Sequence, residues 1–238
     1  MEAAPTTAPD ADARLGAIEA AVAGGDRDLR AQGFWRLVAQ VKADPELVER
    51  FADRLGAVDT AAFRSAVRLR APVWIGNLVL LGGIAIGAGA AALALGDGTS
   101  PTVAGLALVV AGGAWSLSLH CPAHWLVGRL AGIRFTDVFI GGPPPPRPGL
   151  KTDYATYLRA DPVARARMHA AGAVATKVAP FLALALWPAS RAPWWSAAAL
   201  VALGLIQIAT DVVFGARSGD WKKFRREMAV ARVRHESG

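Results

Sequence analysis

Two of the four histidines in this chain, His120 and His124, stand four residues apart in the stretch Ser116-Leu-Ser-Leu-His120-Cys121-Pro122-Ala123-His124-Trp125. On a helix that spacing puts both imidazoles on one face, one turn apart. It is the geometry of the zinc-binding H-E-x-x-H motif, in which the histidines hold the metal and the glutamate serves as general base. Here the glutamate position is Cys121. The chemistry in question is therefore metal binding and metal-assisted hydrolysis, with a thiol where the base belongs.

The elements that must position this pair are apolar. The chain has 238 residues, 53% of them hydrophobic, and the excess lies in blocks. No Lys, Arg, Asp or Glu occurs over 71–96 or over 98–128. A third block, 171–189, is interrupted by Lys177, and a fourth, beginning near 192, reaches Asp211. About 20 apolar residues cross a bilayer, so four transmembrane helices are expected at 72–95, 102–128, 171–189 and 193–214.

The net charge of +7 is unevenly placed. Residues 1–70 carry 10 basic and 11 acidic groups, whereas 129–170 and 215–238 each carry 7 basic and 3 acidic. In a four-span protein both basic segments fall on one side, the cytoplasmic side by the positive-inside rule. Arg64, Arg68 and Arg70 place the amino terminus there too. The expected location is the cytoplasmic (inner) membrane with both termini cytoplasmic, and the bilayer is the first partner. Nucleic acid is not an expected partner, because the basic residues lie where membrane topology requires them. A single cysteine excludes an intramolecular disulfide framework and any Cys-rich zinc module. The acidic, Ala/Pro-rich start lacks the pattern of a cleavable signal peptide, so the first span is expected to serve as anchor. Richness in Ala, Arg and Gly suggests a bacterial source.

Along the chain, 1–10 reads as disordered and 11–70 as a small cytoplasmic helical unit. Its stripes, Leu29, Phe34, Leu37, Val38, Val41 and then Leu47, Val48, Phe51, Leu55, recur at helical spacing. They form either a core of the unit or a face for a partner. Asp44-Pro45 is a helix start, and Asp59-Thr60 is expected to cap a last helix towards the membrane. In the first span, Gly83-x-x-x-Gly87 permits close helix approach. Pro122 is expected to kink the second span beside the histidines. The β-branched and aromatic run 133–140 reads as a short strand or strand pair ending at Gly141-Gly142. Pro143 to Pro146 is expected to be polyproline II. Asp161-Pro162 starts an arginine-rich helix that leads into the third span.

An ionisable residue inside a membrane span is a functional candidate, because burying it in lipid is costly. His120, His124 and Asp211 meet that description. His124 precedes Arg129 by five residues and Asp211 precedes Arg217 by six, which places them about 7.5 and 9 Å inside their basic anchors. Two nitrogens and one oxygen with a fourth position open is a ligand set of catalytic zinc. Asp220, in the polar stretch Ser218-Gly-Asp220-Trp221, can take the place of Asp211. His169 is an alternative further ligand at the start of the third span, and His235 lies in a charged tail.

His120-Cys-Pro-Ala-His124-Trp-Leu-Val-Gly128-Arg-Leu-Ala-Gly132-Ile133-Arg-Phe135 resembles the signature region of the site-2 protease family of intramembrane zinc metalloproteases. In that family H-E-x-G-H is followed by apolar residues, a small-residue turn and a strand. The likeness continues through Ile140-Gly-Gly142 and the opening Ala171-Gly172-Ala173 of the third span to an aspartate late in the last one, covering about 115–215. It implies zinc held by His120, His124 and Asp211, with a single-span membrane protein as substrate. It also implies that a strand near 133–140 presents the substrate by edge pairing. The departures are Cys121 in place of the glutamate, Thr176 near the position of the third-span asparagine, and Val212 after Asp211 instead of glycine. Asp137 and Asp153 are the carboxylates available to stand in for the base. The expectation is an all-α integral membrane protein with four spans, a short β element between the second and third, and a helical N-terminal unit. Its function is intramembrane peptide hydrolysis with altered or lost catalysis. The alternative is a non-catalytic pseudoprotease that binds membrane helices or partner proteins.

Overall fold

A computed structural model of the chain describes residues 7–141, 147–214 and 219–237. The polyproline segment, Gly142, Arg217 and residues 1–6 of the segment expected to be disordered lie outside the described residues. The helices are α1 (Ala8–Ala23), α2 (Phe34–Ala43), α3 (Pro45–Ala66), α4 (Val73–Leu95), α5 (Pro101–Ser118), α6 (His120–Leu130), α7 (Tyr154–Arg159), α8 (Pro162–Leu184), α9 (Trp194–Phe214) and α10 (Asp220–Ser237). Three strands complete the set, β1 (Arg70–Pro72), β2 (Phe135–Gly141) and β3 (Arg147–Thr152). The expected disorder over 1–10 gives way to helix from Ala8. Contacts divide the chain into two compact units, one of 1–73, 129–165 and 227–238, the other of 74–128 and 166–226.

In the first unit the two sequence stripes turn inward. Phe34, Leu37, Val38 and Val41 of α2 and Leu47, Val48, Phe51 and Leu55 of α3 are buried, so the stripes form a core of the unit itself. Asp44 starts α3 as its sequence suggests: the side chain accepts from the amides of Glu46 (2.8 Å) and Leu47 (3.3 Å), with Pro45 following. Asp59-Thr60 does not start a new helix. α3 runs unbroken to Ala66 because the apolar stripe continues through Val58 and Ala62 with no breaker, and Asp59 is buried against Lys151.

The expected strand is β2, but it is the middle of a three-stranded antiparallel sheet of order β1-β2-β3. Phe139 stands opposite Arg70 on one side and Gly149 on the other. Edge pairing through 133–140 is therefore corrected: β2 has neighbours on both sides, and the open edges belong to β1 and β3. The segment read as a basic tail is the helix α10. Its Glu227 is fully buried and accepts from Lys42 Nζ (2.7 Å) and Arg165 Nε (2.8 Å). Arg165 Nη1 also donates to the carbonyls of Leu158 (2.7 Å) and Ala160 (3.1 Å), which closes the end of α7.

Among the described residues four helical segments are long and apolar enough to cross a membrane, Val73–Leu95, Pro101–Ser118, Pro162–Ala189 and Trp194–Val213, and most of their length belongs to the second unit. Leu78, Ile86, Leu106, Leu117, Leu182 and Ile206 face outward, whereas the interior is built from small residues, among them Ala91, Ala104, Ala107, Ala111 and Ala183 around Leu108 and Leu200. Large apolar side chains outside and small ones inside is the pattern of helices packed in lipid. The Gly83-x-x-x-Gly87 signal is realised between α4 and α5. A Cβ added at Gly83 would stand 2.0 Å from Ser118 Oγ, and one at Gly87 would stand 2.3 Å from Trp115 Nε1. That indole donates to the Ile84 carbonyl at 3.2 Å.

Pro122 has the expected effect. It offers no amide to the Ser118 carbonyl, α5 ends there, and after one intervening residue α6 begins at His120. The expected span 102–128 is thus two helices joined at Leu119, whose own amide still bonds the Trp115 carbonyl at 2.9 Å. The arginine-rich lead and the third apolar block as far as Leu184 form one helix, α8, and a 3-10 turn, Trp187–Ala189, ends the block. Asp161 caps it, accepting from the amides of Val163 (2.9 Å) and Ala164 (3.0 Å).

Candidate metal centre

The bend at Leu119 sets His120 and His124 in the first turns of α6, where their rings meet edge to face with centroids 4.7 Å apart. Their Nε2 atoms are 3.2 Å from each other. The first residue of α10 brings a carboxylate to the same point: Asp220 Oδ2 lies 3.2 Å from His124 Nε2 and 3.4 Å from His120 Nε2. All three belong to the second compact unit.

The other ring nitrogens decide what the converging atoms are. His124 Nδ1 is 2.6 Å from the Met168 carbonyl oxygen, which only accepts, so Nδ1 carries the proton. His120 Nδ1 is 3.0 Å from Thr176 Oγ1. That hydroxyl donates its own hydrogen to the Gly172 carbonyl at 3.0 Å, so it accepts from His120. In the neutral rings both Nε2 atoms therefore present lone pairs towards each other and towards a carboxylate. Orientation of a ligating imidazole by a hydrogen bond at its far nitrogen is the usual support of a metal site. Gly172 makes the packing possible, since a Cβ there would stand 2.2 Å from His124 Nε2.

With both Nε2 atoms as acceptors beside a carboxylate oxygen, a cation among the three, a metal ion or a shared proton, offsets their mutual repulsion. Zinc ligands about 2.0–2.1 Å from the metal in tetrahedral geometry stand roughly 3.3–3.4 Å from one another. The three separations, 3.2, 3.2 and 3.4 Å, have the size of one face of such a tetrahedron. The side chains are unequally covered, His124 11%, Asp220 17% and His120 39% exposed, so the cluster is shielded on the His124 side and open on the His120 side.

The structure thus brings together His120, His124 and Asp220, the cluster that can hold a metal ion among the described residues. Asp211 is engaged elsewhere: its Oδ2 is 2.5 Å from Lys177 Nζ and 2.5 Å from Trp221 Nε1. Cys121 is half-buried and free on the turn between the two histidines. His169 is buried outside the cluster and His235 is exposed on α10. Asp153 caps α7, accepting from the amides of Ala155 (3.1 Å) and Thr156 (3.3 Å), and Asp137 lies in β2 opposite Lys151.

Comparison of the chain with protein-family models, with curated proteins and with solved structures found no match, so the reading of this centre stands on its own residues and geometry.

Proposed function

We propose that the chain is a membrane-embedded protein of the site-2 protease type, with zinc held by His120, His124 and Asp220, acting on a peptide segment of a single-span membrane protein. The observation that supports it is the convergence of two lone-pair Nε2 atoms and one carboxylate oxygen at tetrahedral-face separations, each imidazole oriented from behind. Zinc bound there supplies Lewis-acid polarisation of a peptide carbonyl and lowers the pKa of bound water. The Met168 carbonyl and the Thr176 hydroxyl keep the two rings in the ligating tautomer. Asp220 brings the negative charge that offsets part of the dication's own. On this reading the protein lies in the cytoplasmic membrane with both termini on the cytoplasmic side, as the basic segments 129–170 and 215–238 suggest.

One observation favours a second reading, a pseudoprotease that binds membrane helices or partner proteins without cutting them. The general-base position is Cys121, and the one carboxylate of the cluster, Asp220, serves as a ligand. Metal analysis of purified protein tests the shared part of both readings. About one zinc per chain, lost in His124→Ala, supports the site; a wild type free of zinc after zinc supplementation overturns it. Co-expression with single-span proteins then decides between the two readings, since a cleavage product that depends on His124 is expected of the peptidase alone.

A further inference from the structure

Asp211 sits in the last turn of α9, near the centre yet not in it, and its two partners are the immediate chain neighbours of site residues. Lys177 follows Thr176, the hydroxyl that orients His120, and Trp221 follows Asp220. One carboxylate oxygen therefore joins the helix that supports the histidines to the helix that carries the third ligand. We propose that Asp211 is a positioning residue: through Trp221 it fixes the first turn of α10, and thereby seats Asp220 against His120 and His124.

The chain enters that turn through a glycine and beside open space. Asp220 opens its helix directly after Gly219, whose φ of 89° is a left-handed conformation natural to glycine. A cavity of about 380 Å³ borders the indole, lined by Lys177, Ile208, Asp211, Val212, Trp221 and Arg225. The indole borders that space on one side and meets Phe224 edge to face at 5.7 Å, and its polar tether is the 2.5 Å bond from Nε1 to Asp211 Oδ2. The ion pair with Lys177 holds Asp211 in turn. The chain thus uses two aspartates for two tasks, Asp220 to ligate and Asp211 to aim it.

This inference rests on the metal-centre reading, and its test separates the two. The full chain, purified in detergent, is compared as wild type, Asp220→Asn, Asp211→Asn and Trp221→Phe, the last removing only the N–H donor. Zinc affinity is measured by competition with a chromophoric chelator. The cobalt-substituted visible spectrum reports the ligand set, and the ¹⁵N signals of the histidine rings are recorded without metal. Asp220→Asn is expected to remove the site. Trp221→Phe and Asp211→Asn are expected to weaken zinc by about 10–100-fold, the range for groups that orient a ligand. The cobalt spectrum of the loaded fraction stays that of the wild type. Without metal, the His124 ring signals of both variants shift towards those of Asp220→Asn. Wild-type affinity and unshifted histidine signals in Trp221→Phe and Asp211→Asn would overturn the proposal. So would loss of the site in Asp211→Asn with retention in Asp220→Asn, because Asp211 would then be the ligand. If the wild type takes up no zinc, the metal reading falls alone, and the metal-free histidine signals still decide whether Asp211 seats Asp220.

Discussion

Replacing Gly172 by alanine tests the packing on which the centre depends. The added Cβ would stand 2.2 Å from His124 Nε2, 2.5 Å from Cδ2 and 2.7 Å from Cε1, against an ordinary contact of 3.4 Å or more. The ring must give way by roughly 1 Å, and it is held on one side by a 2.6 Å bond to Met168. Leaving its rotamer costs about 0.5–1.5 kcal/mol, and losing the carbonyl partner costs about another 1–1.5 kcal/mol. Together that is about 1.5–3 kcal/mol, or roughly 10- to 100-fold in zinc affinity at 1.4 kcal/mol per tenfold. Chelator competition on the purified chain measures it. Gly89→Ala is the control, since nothing lies within 4 Å of a Cβ added there, and it should bind zinc as the wild type does. Gly172→Ala within threefold of the wild type would refute the claim that close approach of α8 sets His124.

Two further perturbations address other parts of the chain. Burial pushes Glu227 up, but Lys42 and Arg165 outweigh it and lower its pKa from 4.5 to about 2. The stability this contributes is therefore fully present above about pH 4.5 and lost as pH falls towards 2, about 3 kcal/mol in all at 1.36 kcal/mol per unit. Melting curves should show that loss in the wild type and a flatter profile in Glu227→Gln; equal slopes would remove the ion triad as the cause. At the centre, Cys121→Glu should raise His124-dependent cleavage of a co-expressed single-span protein above whatever level the wild type shows. Equal cleavage by both would show that position 121 is not where the base is missing.

Much of the frame was legible in the sequence because single residues set it. Asp44-Pro45 and Asp161-Pro162 start helices since side-chain capping and a fixed φ are local properties. The glycine pair in α4 and the bend before Pro122 are likewise local in origin. The sheet was only one-third legible: β2 has the β-branched run, whereas β1 is the three residues Arg70–Pro72 and β3 contains Pro148 and Gly149, neither of which signals a strand alone. The helix α10 was hidden by its charge, because Lys222, Lys223, Arg225 and Arg226 mask the buried Glu227. Depth along a helix pointed to Asp211, but depth is one coordinate only. Which carboxylate reaches the imidazoles depends on the chain returning from α9 to open α10 beside them, and no spacing rule contains that return.

The support of the centre is concentrated on one helix that supplies no ligand. Met168, Gly172 and Thr176 are spaced by four along α8, so they follow one another along a single face. The first gives its carbonyl to His124, the second the space for that ring, and the third its hydroxyl to His120. Gly172 has a second part, since its own carbonyl accepts the Thr176 hydroxyl hydrogen and so makes the threonine an acceptor. A larger residue in the middle of this face would disturb both imidazoles at once. The two histidines on α6 define where a cation can sit, but the tautomer and aim of each are set from α8. The sequence feature that accompanies the His-x-x-x-His pair is therefore a carbonyl, a gap and a hydroxyl at matching four-residue intervals on the neighbouring helix.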